Sequence, residues 1–236
     1  MLYVLGLGFL IGMKHALEAD HVAAVASLAS GGNSVGETTK MGVAWGLGHT
    51  ATLFLIGSVV LLLDWVVPET MAEALEFTVG VMLVALGIDV MVRMARGNAH
   101  FHAHTHGGSQ HFHAHRHAEA AGHDSAAHAH VHPRGLPLRA LLVGSVHGLA
   151  GSAALVLLTL STIQSVWLGL AYMLLFGLGS VAGMALLSCA IALPLRFTAQ
   201  HMNWAFRGLT AAIGGATMVL GASIAWRIAS HGGLFA

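Results

Sequence analysis

The chain has 236 residues, of which 56% are hydrophobic and only 8% are charged, and its mean hydropathy is +0.75. Soluble domains carry about 25% charged residues, so this chain has too few charges to cover a surface in water, and we predict an integral membrane protein. The formal net charge is zero with neutral histidines, which excludes a basic surface for nucleic acid. The single cysteine, Cys189, excludes a disulfide or a cysteine zinc site within one chain.

Six runs of about 20 apolar residues are each long enough to cross a bilayer as a helix. They cover residues 2–28, 40–63, 73–95, 137–163, 166–193 and 204–229, and Pro194 is predicted to end the fifth. The sequence therefore predicts an all-α, multi-pass protein with about six transmembrane helices in the lipid bilayer of the cell membrane.

The first apolar segment contains a polar cluster, Lys14-His15-Ala16-Leu17-Glu18-Ala19-Asp20-His21. An aspartate or lysine at the centre of a membrane helix costs about 2.5–3.5 kcal/mol, so these groups must pair, contact water or bind a metal. In an ideal helix His15, Glu18 and His21 share one wide face, whereas Asp20 lies on the opposite side. Two alternatives follow: Glu18 is the carboxylate ligand of a metal, or the helix is broken and Asp20 turns inward.

Two more histidines lie inside apolar segments. His49 lies in the second segment, and His147 in the fourth occupies the position equivalent to His15. Histidine with carboxylate suits borderline divalent ions such as Ni, Co, Zn or Fe. We therefore predict a metal site built from the first, second and fourth segments, with the candidate ligands His15, Glu18, Asp20, His21, His49 and His147. The alternative is that these residues only link helices by hydrogen bonds or form a proton relay.

The two halves of the chain share a pattern of residues separated by 131–134 positions. Gly12 and His15 match Gly144 and His147, Gly48 matches Gly179, and Gly80, Gly87 and Arg93 match Gly214, Gly221 and Arg227. An odd number of helices per repeat forces the halves into opposite orientations, as in secondary transporters whose substrate site lies where the halves meet. We predict two inverted three-helix repeats, residues 1–96 and 137–236, joined by a loop at 97–136.

The joining loop has a different composition from the rest of the chain. Twelve of the 18 histidines lie between His100 and His132, many of them at alternate positions. Such a tract lacks the apolar side chains for a core, so we expect it to be disordered without metal. It is either a solvated linker or a store or sensor for divalent metal.

Positive residues predict the orientation in the membrane, because cytoplasmic connections carry more of them. The first, third and fifth connections hold or border Lys40, Arg93, Arg96, Arg116, Arg134, Arg139, Arg196 and Arg207. The opposite side has Arg227 and an acidic loop with Asp64, Glu69, Glu73 and Glu76. Both termini are therefore predicted outside, and the His-rich loop in the cytoplasm.

The sequence shows no hydrolase nucleophile arrangement, P-loop or dinucleotide fingerprint, so we expect neither an enzyme nor a resident cofactor. The His-Glu-x-x-His spacing of a metalloprotease is also absent. Transport without an ATP-binding element requires a membrane potential or an ion gradient. A divalent cation gains about 4.6 kcal/mol on moving inward across 100 mV, which favours import.

The polar cluster resembles the signature of the nickel/cobalt transporter family, Arg-His-Ala-x-Asp-Ala-Asp-His-Ile. It reads Lys14-His15-Ala16-Leu17-Glu18-Ala19-Asp20-His21-Val22 here, with departures at Lys14 and Glu18. Gly48-His49-Thr50 and Gly183-Met184 are similar to two further elements of that family. With six helices rather than eight, the chain is similar to the shorter, urease-accessory-type branch.

The resemblance implies uptake of Ni(II) or Co(II) as cargo, with His15, Asp20 and His21 acting in selectivity and transport. It leaves two alternatives open: an efflux protein for the same ions, or a metal-binding accessory protein that supplies a nickel enzyme without transport. Metallochaperones or nickel-enzyme maturation proteins are the expected partners.

Overall fold

A computed structural model of the chain describes residues 2–31, 34–63, 68–96, 100–106, 109–115, 137–150 and 165–231. These ranges contain seven helices and two strands. In chain order they are α1 (Leu2–His15), α2 (Ala19–Ala29), α3 (Val35–Leu63), α4 (Glu69–Arg96), β1 (His100–His106), β2 (Ser109–His115), α5 (Leu138–Ala150), α6 (Val166–His201) and α7 (Asn203–His231).

The longest described helices, α3, α4, α6 and α7, are long and apolar enough to cross a membrane. Large apolar side chains on their surfaces point away from the protein, such as Leu55 at 63% exposure and Trp167 at 82%. Water disfavours so much exposed apolar surface, whereas lipid accommodates it. The predicted all-α membrane fold is confirmed, and the chain is a multi-pass membrane protein.

The first predicted segment is broken into two helices. α1 ends at His15 and α2 begins at Ala19. Between them the backbone N–H groups of Leu17 and Glu18 donate to the carbonyl groups three residues earlier, at 2.9 and 3.0 Å, and Glu18 is extended, with φ −64° and ψ 149°. Of the two alternatives predicted for this segment, the structure has the broken helix. Asp20 therefore does not follow the helical register of α1 and points in a different direction from the one an unbroken helix would give it.

Helix α1 packs against α6 of the other half, and α5 packs against α3, through reciprocal glycine contacts. A side chain at Gly12 in α1 would overlap the carbonyl of Phe176 in α6, and one at Gly144 in α5 would overlap the carbonyl of Trp45 in α3. The offset that relates Gly12 to Gly144 also relates Trp45 to Phe176 within one residue. Such reciprocity is what a two-fold axis between the halves produces.

The outer helices α4 and α7 form a second reciprocal pair. Gly80 lies against the carbonyl of Gly221, and Gly221 lies against the carbonyl of Gly80. Gly87 lies against the carbonyl of Gly214 in the same way. Small residues let membrane helices approach closely, which explains why these positions carry no side chain. The repeat boundaries themselves, at residues 96 and 137, stay a prediction.

Part of the His-rich loop contains two strands. Strands β1 and β2 pair antiparallel, with His100 opposite His115 and His106 opposite Ser109. The alternation of histidine with other residues has the two-residue period of a strand, and Gly107-Gly108 between the strands is a typical hairpin sequence. Residues 97–99, 107–108 and 116–136 lie outside the described residues.

The predicted end of the fifth segment at Pro194 is wrong, because α6 continues to His201. Membrane helices accommodate proline, since hydroxyl side chains help to satisfy the disturbed backbone. The second half of the fourth predicted segment, residues 151–163, lies outside the described residues.

Candidate metal centre

Four histidines from four helices meet in the interior. His15 ends α1, His21 is in the first turn of α2, His49 is in α3 and His147 is in α5, and each is at most 3% exposed. Glycine contacts place two of these helices, since Gly148 in α5 lies against the carbonyl of His49. The structure therefore brings together the histidines that the sequence predicted from three separate segments.

His15, His21 and His49 form the first set of candidate ligands. One ring nitrogen from each of them lies within 4.8 Å of the other two. Their ring centroids are 4.3 Å apart for His15 and His21, 5.1 Å for His21 and His49, and 5.5 Å for His15 and His49. Three ring nitrogens within 4.8 Å of one another could hold one divalent cation between them.

Asp20 joins two of the histidines across the halves of the protein. Its Oδ1 is 2.9 Å from Nδ1 of His21, and its Oδ2 is 3.1 Å from Nε2 of His147. Oδ1 also accepts the backbone N–H of His21 at 2.9 Å, at the start of α2. A helix N-terminus favours a carboxylate, so the break before α2 both turns Asp20 inward and stabilises its charge there.

Asp20, His21 and His147 form the second set, whose ligand atoms also lie within 4.8 Å of one another. In this set both carboxylate oxygens already contact an imidazole. The first set differs, because Nε2 of His15, Nε2 of His21 and both ring nitrogens of His49 are buried without a hydrogen bond among the described residues. The first set is thus open to a cation, and Asp20 is placed to orient His21, as outer carboxylates do for metal-bound histidines.

Glu18, the other carboxylate of the predicted site, is placed differently. It belongs to neither set, its side chain is 45% exposed, and its Oε1 lies 2.9 Å from Nδ1 of His15. Glu18 is thus the carboxylate partner of His15 Nδ1. Glu18 therefore borders the centre through His15, while Asp20 is the carboxylate inside it.

Two aromatic residues that the sequence reasoning missed enclose the histidines. The Trp45 ring lies 5.3 Å from His21, 5.2 Å from His147 and 5.9 Å from His49, while the Phe176 ring lies 5.3 Å from His15. An aromatic residue in an apolar helix does not by itself indicate a functional role. The signal that identifies this pair is the repeat offset, which places Trp45 and Phe176 at equivalent positions.

Comparison with known proteins gives a family and a relative. The sequence profile described as cytochrome C biogenesis protein transmembrane region matches residues 7–216. The urease accessory protein UreH of Bacillus sp. (strain TB-90) is 35% identical over 209 residues, which cover 86% of this chain and 82% of that protein. No solved structure matches.

Proposed function

This chain belongs to the cytochrome C biogenesis protein transmembrane region family, and we propose that within it the chain is a permease for Ni(II) or Co(II). Ions pass through the histidine centre between the two halves and are driven inward by the membrane potential or by an ion gradient. Both termini then lie outside, and the His-rich loop faces the cytoplasm, where nickel-enzyme maturation proteins or metallochaperones receive the ion.

The observation that carries this proposal is the set of unpaired nitrogens in the centre. Burying a polar group without a hydrogen bond costs about 1–3 kcal/mol, and four ring nitrogens of His15, His21 and His49 have no partner among the described residues. Single unpaired polar atoms also occur elsewhere among the described residues, as at Thr38 and Thr210, so it is the clustering of these nitrogens in one place that favours a shared cation. A cation with a preference for imidazole recovers the cost, and the borderline ions Ni(II) and Co(II) have that preference.

Two similarities support nickel or cobalt as the cargo. The His-x4-Asp-His core at His15, Asp20 and His21 matches the nickel/cobalt transporter signature, and His21 contacts both His15 and Asp20. The relative is named a urease accessory protein, and urease is a nickel enzyme. That name also favours a second candidate function, in which the protein binds nickel for an enzyme without moving it across the membrane.

Metal flux into liposomes decides between these functions. We expect the purified full chain to take up Ni(II) and Co(II) when the potential is negative inside, and to take up Mn(II) and Mg(II) poorly, because those ions prefer oxygen ligands. Binding without flux would favour the accessory function. Flux only from the predicted cytoplasmic side outward, with a coupling gradient, would favour an exporter.

Asp20→Asn is expected to weaken Ni(II) binding about 10–100-fold, as the loss of carboxylates that orient metal-bound histidines typically does. The amide has nearly the same shape, but it offers one acceptor oxygen where the carboxylate offers two, so His21 or His147 loses its partner. Titration calorimetry on the detergent-purified protein measures the change.

The matched control is Asp89→Asn, which removes a carboxylate that pairs with Arg93 at 3.1 Å and with Arg139 at 2.8 Å. This variant should bind Ni(II) as the unchanged protein does. Equal affinities for the Asp20 variant and the unchanged protein would contradict the orienting role of Asp20.

Replacing residues 97–136 by a short Gly-Ser linker is expected to leave the maximal transport rate in liposomes unchanged, because the histidine centre lies outside this loop. Uptake by cells at trace nickel supply should fall, since the twelve loop histidines no longer retain the ion. A loop of full length with those histidines changed to asparagine separates metal binding from loop length. Loss of flux in liposomes would show that the loop belongs to the transport path.

A further inference from the structure

Trp45 and Phe176 border different parts of the histidine cluster: Trp45 also lies 5.3 Å from His21 and 5.9 Å from His49, and a series of ring contacts connects it to Phe176. The series runs from Trp45 through His147, His21 and His15 to Phe176, with successive centroid distances of 5.2, 4.3, 4.3 and 5.3 Å. The two halves of this series have nearly the same spacing. Each aromatic ring thus closes one end of the histidine centre and contacts the Gly-x-x-His helix of the opposite half.

The two rings lie at different levels along the helix pair α3–α6. Gly46 of α3 lies against Val181, whereas Thr50, one turn later, donates to the carbonyl of Gly177 at 3.2 Å. Residue numbers increase along α3 in the direction in which they decrease along α6, so the two helices are antiparallel. By the same register Phe176 is level with Ala51, six residues from Trp45, which separates the two positions by about 9 Å along the axis.

Both rings are buried, and among the described residues they are held by packing rather than by hydrogen bonds. Trp45 is 0% exposed and Phe176 is 3% exposed. The indole N–H of Trp45 has no hydrogen-bond partner among the described residues. Rotation of either ring therefore breaks no hydrogen bond, and for Trp45 a rotation toward water supplies the missing acceptor.

We propose that Trp45 and Phe176 are the two gates of the histidine centre, one closing it toward each side of the membrane; the inference rests on the proposed permease function. Apolar constrictions stop ions by excluding water, and equivalent residues of inverted repeats lie on opposite sides of a central site. In the present structure both gates are closed. By the predicted orientation, Trp45 closes the cytoplasmic side and Phe176 closes the outer side.

A cysteine reporter inside the centre tests the gates without any metal. The reporter chain carries His49→Cys and Cys189→Ser, so it has a single thiol. In the unchanged protein the His49 ring lies 5.9 Å from the Trp45 ring, which places this thiol next to Trp45. A membrane-impermeant, charged methanethiosulfonate is applied from either side of oriented vesicles. With both rings present, the thiol should react slowly from both sides. Fast reaction of this reporter chain from either side would overturn the proposal.

Each truncation should open one side only. Trp45→Ala is expected to raise the reaction rate about tenfold or more from the cytoplasmic side, and Phe176→Ala from the outer side, because water enters the widened end. Trp45→Phe and Phe176→Tyr keep an aromatic ring, so the thiol in these variants should react about as slowly as in the reporter chain. The gate proposal would be overturned if both alanine variants accelerated the reaction from the same side, or if neither variant accelerated it from any side.

Two further measurements keep the result interpretable. If an alanine variant does not elute as a single species in gel filtration, Trp45→Leu or Phe176→Leu replaces it, and the same one-sided acceleration is expected. Ni(II) flux is measured separately on the chain that retains His49. Normal flux with no one-sided labelling overturns the gates alone, whereas one-sided labelling without flux supports the gates and overturns the permease.

Discussion

Replacing His21 with alanine is expected to abolish uptake of Ni(II) and Co(II), to the level of vesicles without protein. His21 is the one residue common to both candidate ligand sets, and it is fully buried. Its loss removes a nitrogen from the first set and the partner of Asp20 in the second, so no neighbouring side chain replaces it. His15→Ala should have the same effect, because it leaves His49 and His21 as the remaining pair of the first set.

The control for this prediction is His201→Ala. His201 is exposed at the end of α6, where its ring contacts the carbonyl of Phe197 at 3.0 Å, far from the centre. Uptake by this variant should equal that of the unchanged protein. Uptake at the unchanged rate by the His21 variant would remove the proposed site, whatever the behaviour of the other histidines.

Gly12→Ala is expected to lower the free energy of unfolding by about 1–3 kcal/mol and to reduce uptake strongly. The added methyl group would overlap the backbone carbonyl of Phe176, which cannot move without shifting α6. Since His15 lies one turn further along α1, the same shift displaces a candidate ligand. Thermal unfolding in detergent and Ni(II) flux measure the two consequences.

The matched control is Gly6→Ala in the same helix. A methyl group at Gly6 meets nothing within 4 Å, so it should leave stability unchanged or raise it slightly through the better helix propensity of alanine. Equal stabilities for the Gly12 and Gly6 variants would show that the close approach of α1 and α6 does not require glycine.

The apolar runs and the repeat offset predicted most of the fold, because both can be recognised in the sequence without knowing which residues are in contact. The offset also predicted that His147 lies near the position of His15, and the structure places both residues in one centre. The alternation of histidines in the loop contained the strand period as well, but its composition was interpreted as disorder. The extension of α6 past Pro194 depends on membrane surroundings that a local proline rule does not include.

The choice between Glu18 and Asp20 was beyond the sequence, because it depends on a contact between distant residues. Helical geometry alone left both carboxylates open. Asp20 turns inward where α1 ends, and its Oδ2 contacts His147, which lies 127 positions further along the chain. Trp45 and Phe176 were missed for a related reason, since their role depends on helices of the opposite half.

The ring contacts on either side of His21 are almost equally spaced, yet the ligands around them are not equivalent. By the repeat offsets, the second-half positions equivalent to Asp20, His21 and His49 hold Ser152, Ala153 and Ser180. The carboxylate and three of the four imidazoles therefore come from the first half. A permease built on this centre would present different ligands to the two faces of the membrane, so its affinities for an ion arriving from inside and from outside should differ.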